Sequence, residues 1–205
     1  MGSAQMHHAK QETVLAAARC IVGSEDLLPE AAVIVTCRAQ TLFARSASLS
    51  TQQQEVEAAR RRNILLAQYA SWRARPTPTT FITVPEDPGN ALVMLRRITT
   101  AVHFFTDRYI DDAARDKQQQ QQQQQQAHGM NEQAEEEEIR RALFRIQVYN
   151  ELFRIPPGSS SCGGEEEEMF FLKLFSTAEV EIMGCVCEFL FRYFSPGKYL
   201  HSCQW

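Results

Sequence analysis

Cysteine and histidine residues lie close together near the end of the 205-residue sequence, in a set that could bind zinc. Cys185, Cys187, His201 and Cys203 supply four suitable ligands, which is enough by count for a tetrahedral site. Zinc sites usually place about two to four residues between paired cysteines, whereas Cys185 and Cys187 are separated by one and point in different directions on a helix. The spacing therefore predicts no metal site, and we expect the six cysteines to be reduced and mostly buried.

A second group that could bind a metal is the aspartate cluster at Asp111, Asp112 and Asp116. Such carboxylates could hold magnesium against a diphosphate, as in the aspartate-rich motif of terpene synthases. An ion pair between Asp112 and Arg115, at i and i+3 on a helix, favours an ordinary solvated helix end instead. A magnesium-dependent diphosphate enzyme is therefore only an alternative hypothesis.

Other catalytic patterns are also missing from the sequence. The one glycine pair that could begin a phosphate loop, Gly163 and Gly164, is followed by four glutamates that would repel phosphate. His103 lies beside Phe104 on a predicted helix, and we expect it to be packed or partly exposed rather than to act as a base. The sequence predicts no catalytic, cofactor-binding or metal-binding residue, no cofactor, and no enzymatic activity.

Runs of arginine on amphipathic segments could form a basic face for an anionic partner. Arginine pairs and triplets on such helices more often form the solvated side, and no nucleic-acid-reading module accompanies them. The pattern therefore argues against nucleic acid as a partner. The arginines concerned are Arg60, Arg61, Arg62, Arg73, Arg75, Arg96, Arg97, Arg140 and Arg141.

Two low-complexity segments carry the acidic charge of the chain. Residues 117–138 contain nine consecutive glutamines and a run of four glutamates, and residues 155–168 are rich in Pro, Gly, Ser and Glu. Each segment has a net charge of −4, so the rest of the chain is net +4 although the whole is −4. We predict that both segments are exposed insertions, the first one disordered, within a single helical domain at 10–195.

Apolar residues recur at steps of three and four along five segments, which predicts amphipathic helices. Residues 31–36, which end in a β-branched run at 33–36, are compatible with either a helix or a strand. Ser176 and Glu179 have the spacing of a capping box, which marks the start of a helix. The content of 9 Gly and 8 Pro with 44% hydrophobic residues excludes collagen-like, mucin-like and wholly disordered chains. The helical periods predict an all-α, irregular bundle of about six to seven helices. The apolar stripes are Val14–Ala17–Ala18–Ile21, Leu65–Tyr69–Trp72, Leu95–Ile98–Val102–Phe105–Tyr109, Ile139–Leu143–Ile146–Phe153 and Val180–Met183–Cys187–Leu190–Phe194.

Targeting signals are not found in the sequence. The longest apolar runs are much shorter than the roughly 18 residues that a membrane-spanning helix needs. The first residues lack the basic start and apolar run of a signal peptide. We therefore expect an intracellular protein, cytoplasmic or nuclear, that is not inserted in a membrane.

A resemblance to a known family rests on several stretches within about residues 70 to 190. These stretches are 72–78, 87–88, 104–109, 141–149, 175–176, 179–181 and 185–186. Through them the chain resembles a family of uncharacterised, mostly helical proteins of filamentous fungi, some of which are labelled F-box-like. Where that family shows Pro-Trp after the capping serine, this chain has Thr177 and Ala178. The resemblance implies a helical fold and brings no catalytic residues.

The functional prediction is a non-catalytic protein-interaction or regulatory domain that recognises a protein partner through helix faces. Its partner and its oligomeric state are left open by the sequence. The resemblance suggests an alternative, an F-box-like ubiquitin-ligase adaptor. Such a module would begin with a Leu-Pro pair, for which Leu28 and Pro29 are the candidates, and it would use residues 25–50 to bind the ligase scaffold.

Overall fold

The computed structural model describes residues 2–39, 51–74, 88–121, 132–153 and 165–195. In these ranges all regular structure is α-helical, and no strand is present. The prediction of an all-α protein with about six to seven helices is therefore confirmed. The seven helices are α1 (Gly2–Val22), α2 (Leu28–Ala39), α3 (Thr51–Arg73), α4 (Pro88–Gln121), α5 (Glu132–Phe153), α6 (Glu165–Leu172) and α7 (Thr177–Phe194).

The turn between α1 and α2 follows from local sequence. Gly23 adopts a φ of 71°, a conformation that side chains other than glycine rarely take, and its N–H donates to the carbonyl of Arg19 at 3.0 Å. Pro29 lies in the first turn of α2, where its missing N–H breaks no helical hydrogen bond. The segment 31–36, left open as helix or strand by the sequence, is helical and fully buried, and the hydroxyl of Thr36 donates to the carbonyl of Ala32 at 2.8 Å.

The described residues divide into two compact units. Unit one comprises those of Met1–Thr100 and Gln147–Leu174, and unit two those of Ala101–Ile146 and Phe175–Trp205. The single helical domain at 10–195 stays a prediction.

The core of unit one forms around α2, which is buried along nearly its whole length. Tyr69 of α3 is fully buried, and its ring stacks on Phe171 of α6 with centroids 6.1 Å apart. Phe153 of α5 meets the same Phe171 edge-on at 6.0 Å. Helix α6 was not predicted, because its eight residues are too few to display a helical period. One side chain of this short helix, Phe171, is buried and joins it to the core.

Parts of the two segments predicted to be exposed insertions are helical in the structure. The glutamates at 135–138 lie in α5, those at 165–168 form the first turn of α6, and α4 continues into the glutamine tract as far as Gln121. Glutamate and glutamine are good helix formers, and negative charge is favourable near a helix N-terminus. The remaining positions, 122–131 and 154–164, are outside the described residues.

In unit two, the capping box predicted at the start of α7 is confirmed. The hydroxyl of Ser176 accepts from the N–H of Glu179 at 3.3 Å, and the Glu179 carboxylate accepts from the N–H of Ser176 at 2.8 Å. The buried positions of α7 are Met183, Val186 and Phe189, so the predicted stripe is wrong at Cys187 and Phe194, which are exposed. The buried face follows steps of three, which rotates it away from the positions that steps of four would select.

The expectation of mostly buried cysteines is also wrong for the described residues. Cys37 is buried, whereas Cys20, Cys185 and Cys187 are exposed. Cys185 and Cys187 flank Val186, and this residue faces the core in their place. Cys162 and Cys203 lie outside the described residues.

Candidate protein-interaction surface

Most of the described arginines that the sequence suggested as a basic face are paired with carboxylates. Glu57 accepts from Nε of Arg60 at 2.9 Å and from Nε of Arg61 at 2.7 Å. These hydrogen bonds, the one from Arg60 first, hold the pKa of the Glu57 carboxyl at about 2, below its ordinary 4.5. The other pairs are Arg62–Glu167, Arg73–Glu30, Arg140 with Glu136 and Glu137, and Arg141–Glu137.

The acidic segments supply several of these partners. Glu136 and Glu137 lie one turn before Arg140 and Arg141 on the same helix, and Glu167 reaches Arg62 from another helix. The excess basic charge of the helical body is therefore largely neutralised by glutamates in these pairs. Arg75 lies outside the described residues.

A cluster of aromatic side chains lies on the surface of unit two, where α4 and α7 meet. We call Phe104, Phe105, Tyr193 and Phe194 the aromatic patch. Phe194 is 67% exposed, and Phe104 and Tyr193 are each 44% exposed, whereas Phe105 is half-buried. Large apolar side chains that stay in contact with water on adjacent helices are typical of a binding surface.

The rings of the aromatic patch contact one another edge to face. The Phe105 centroid lies 5.5 Å from that of Tyr193 and 5.5 Å from that of Phe194, with interplanar angles of 87° and 63°. Phe104 meets Phe105 at 5.2 Å and 79°. This is the geometry that the ring quadrupoles favour, and it holds the exposed rings in place before any partner binds.

The patch rests on a second pair of rings. Tyr109 of α4 and Phe189 of α7 pack with centroids 5.3 Å apart, and Phe189 also lies 6.0 Å from Tyr193. Partial burial raises the pKa of the Tyr109 phenol, so this group is neutral at physiological pH. The exposed rings are therefore anchored to the core of unit two.

Two exposed arginines, Arg108 and Arg192, accompany the patch. The guanidinium of Arg108 lies over the Phe104 ring, 5.4 Å from its centroid, and Arg192 lies one residue before Tyr193 on α7. Unlike the arginines described above, neither makes an ion pair with any carboxylate in the described ranges. Both positive charges are therefore available to an acidic group of a partner.

The described part of the chain contains only some of the residues of the two metal sites that the sequence raised as possibilities. Within the described ranges no three His, Cys, Asp or Glu side chains are grouped so that they could hold a metal ion. His201, Cys203 and the side chain of Asp116 lie outside the described residues. The expected ion pair between Asp112 and Arg115 is not formed, and His103 is exposed on α4.

The residues proposed as the start of an F-box-like module are placed in the core. Leu28 is fully buried, and Glu30 is nearly so. The carboxylate of Glu30 accepts a hydrogen bond from the phenol of Tyr69 at 2.8 Å. The rest of the F-box-like segment, residues 40–50, lies outside the described residues.

The sequence did not predict the aromatic patch, because Phe105 and Phe194 lie on apolar stripes that were expected to face the core. The adjacent phenylalanines Phe104 and Phe105 were the available signal. Neighbouring residues on a helix are about 100° apart, so two large rings in sequence cannot both face the centre of one buried stripe.

None of the helices, as far as the structure describes them, is long and apolar enough to span a membrane. Comparisons with protein-family models, with curated proteins and with solved structures find no match to this chain.

Proposed function

We propose that the protein is a non-catalytic interaction protein whose aromatic patch binds an acidic amphipathic helix of a partner protein. The observation that carries this proposal is the combination of exposed aromatic rings with two arginines that have no carboxylate partner among the described residues. Aromatic residues and arginine are the side chains most enriched in the energetic centres of protein interfaces.

The chemistry of the patch favours a helix as the partner element. The exposed rings come from two neighbouring helices, and the seam between them is suited to apolar side chains spaced at i, i+3 or i+4, and i+7 on a third helix. Acidic side chains beside those apolar anchors would meet Arg108 and Arg192. The pairing of most other described arginines with glutamates supports a protein partner rather than nucleic acid.

Two expectations from the sequence stay predictions within this proposal. An intracellular location, cytoplasmic or nuclear, rests on the sequence alone. So does membership of the fungal F-box-like family, and an adaptor role through residues 25–50 receives little support from α2 because its side chains are committed to the core.

The proposal is tested with one disruptive and one matched control substitution. Phe194→Ser removes the most exposed ring of the patch, whereas Phe170→Ser removes a 45% exposed ring of α6 in unit one. Affinity capture from native cells with wild type and both variants should recover proteins that Phe194→Ser loses and Phe170→Ser retains. A direct binding measurement with a recovered protein should show a loss of about thirtyfold for Phe194→Ser, because truncating an interface anchor often costs about 2 kcal/mol.

Arg108→Gln tests the electrostatic part separately, with Arg97→Gln as its exposed control on the same helix. We expect Arg108→Gln to weaken binding and to reduce its salt dependence. The proposal fails if every protein captured by wild type is also captured by Phe194→Ser and Arg108→Gln.

A further inference from the structure

Unit one contains a cavity of about 360 Å³ that is separate from the aromatic patch. One wall comes from Arg38 of α2 and the others from α5. Its volume lies within the range of small-molecule sites, roughly 300–1,000 Å³. The lining residues are Arg38, Gln147, Tyr149, Asn150, Glu151 and Phe153.

The most buried polar group on this wall is Glu151, whose side chain is only 9% exposed. Its Oε1 accepts from Nε of Arg38 at 2.9 Å and from Nε2 of Gln147 at 2.5 Å. Nη2 of Arg38 also contacts Oε1, so all the contacts of this carboxylate end on one oxygen. Its Oε2 accepts no hydrogen bond from any described residue.

An ionised carboxylate has about four acceptor positions on its two oxygens. An oxygen that keeps some accessible surface and has no protein donor can accept a hydrogen bond from a bound molecule. Because Glu151 lines the cavity, its Oε2 is the acceptor that the cavity offers to a bound donor.

The charges around the cavity favour a cation. Arg38 neutralises Glu151, but the phenol of Tyr149 donates to Oε2 of Glu168 at 3.0 Å, and Glu168 has no arginine among its described partners. The residual charge beside the cavity is therefore negative.

Two aromatic rings complete the lining. Tyr149 and Phe153 lie with centroids 4.8 Å apart, and aromatic faces attract organic cations as well as methylene groups. A phosphate or carboxylate ligand would instead find Arg38 already paired with Glu151, and no other described arginine lines the cavity.

We propose that this cavity binds a small organic amine, whose ammonium group donates to Oε2 of Glu151 and whose carbon chain contacts Tyr149 and Phe153. An ammonium group carries three donors and a compact positive charge, which suits one open carboxylate oxygen. This inference is independent of the aromatic patch.

The test uses the full chain and 1,4-diaminobutane, titrated at pH 7 and constant ionic strength by isothermal calorimetry. We expect saturable binding of one amine per chain and no binding of 1,4-butanediol, which has the same length without charge. Glu151→Gln should weaken amine binding about tenfold or more, because it removes the charged acceptor. Glu57→Gln, which removes an ion-paired glutamate of α3 outside the cavity, should leave the affinity unchanged.

A second variant covers the case in which Glu151→Gln unfolds the protein. Asn150 is exposed at the cavity wall, so Asn150→Trp should fill the cavity while it leaves the Arg38–Glu151 pair intact, and it should also weaken amine binding about tenfold or more. Nα-acetyl-lysine amide represents a lysine side chain of a peptide. We expect it to bind more weakly than the diamine if the cavity binds a small free amine. The proposal is overturned if wild type does not bind the diamine saturably, if the diol or the lysine derivative binds as tightly, or if the folded variants bind like wild type.

Discussion

Nη1 of Arg62 donates to Oε2 of Glu167 at 2.6 Å, although the two residues are 105 positions apart in the chain. The same guanidinium donates through Nε to the carbonyl of Leu152 at 2.9 Å and lies 5.6 Å from the ring centroid of Phe153. One arginine of α3 therefore contacts both α5 and α6. Since the Arg62 side chain is only 11% exposed, these partners rather than water stabilise its positive charge.

We expect Glu167→Gln to lower the free energy of unfolding by about 1–2 kcal/mol, because it leaves the Arg62 guanidinium without its charged acceptor. Urea denaturation followed by circular dichroism measures the change. The matched control is Glu165→Gln, an exposed glutamate of the same helical turn with no ion pair to a described residue, which should change stability by less than about 0.5 kcal/mol. Equal effects of the two substitutions would show that the acidic turn acts only through its general charge.

The contacts at the start of α7 predict how strongly three substitutions lower the free energy of unfolding. Ser176→Ala removes the cap and should cost about 1 kcal/mol. Glu179→Ala should cost more, because Glu179 also pairs at 2.7 Å with Nη2 of Arg145, whose side chain is 9% exposed. Glu181→Ala, an exposed glutamate in the same helix, should have little effect. Chemical denaturation of the three variants checks this order, and a larger loss for Ser176→Ala than for Glu179→Ala would contradict it.

The Glu57 carboxyl is expected to titrate well below an ordinary glutamate. Its pKa is lowered to about 2 in the folded chain by hydrogen bonds from Arg60 and then Arg61, against 4.5 without them. The lowered pKa stabilises the folded state at pH values above 4.5, the pKa of this carboxyl in the unfolded chain. This contribution is lost as the pH falls through about 2. Glu57→Gln should therefore reduce stability at pH 7 and make no difference below about pH 2.

Carboxyl carbon chemical shifts followed against pH measure this titration directly. Arg60→Gln should raise the Glu57 pKa toward 4.5, while Arg97→Gln, on another helix, should leave it unchanged. A Glu57 midpoint near 4.5 in the wild type would mean that the hydrogen bonds from Arg60 and Arg61 are not maintained in solution.

The cysteines are expected to differ sharply in reactivity. Burial, followed by the charge of Glu151, raises the pKa of the Cys37 thiol, whereas Cys20, Cys185 and Cys187 are exposed. Iodoacetamide at pH 8 should modify Cys20 and Cys185 and spare Cys37, because the thiolate is the reactive form and needs access. Cys187 should react more slowly than Cys185, because partial burial raises the pKa of its thiol. Peptide mass spectrometry assigns the modified positions. In urea Cys37 should become reactive as well, and equal rates for Cys37 and Cys185 in the native protein would refute the burial of Cys37.

Local signals in the sequence determined where most of the helices lie. Gly23 ends α1 because only glycine readily takes its backbone angle, and Ser176 with Glu179 begins α7 because the two side chains cap the first turn. Each signal acts within about one helical turn, so it can be read without knowledge of the fold. The all-α class follows from these signals together with the apolar periodicity.

Only the tertiary structure decided which faces of the helices meet and which charges pair. The period of α7 allowed a core stripe through Cys187 and Phe194, but packing selected Val186 and Phe189 and left Phe194 exposed. The glutamates at 165–168 read as part of an exposed segment, yet Glu167 pairs with Arg62 and Glu168 accepts from Tyr149. These contacts join positions far apart in the chain, and their partners are set by how the helices pack rather than by the residues beside them.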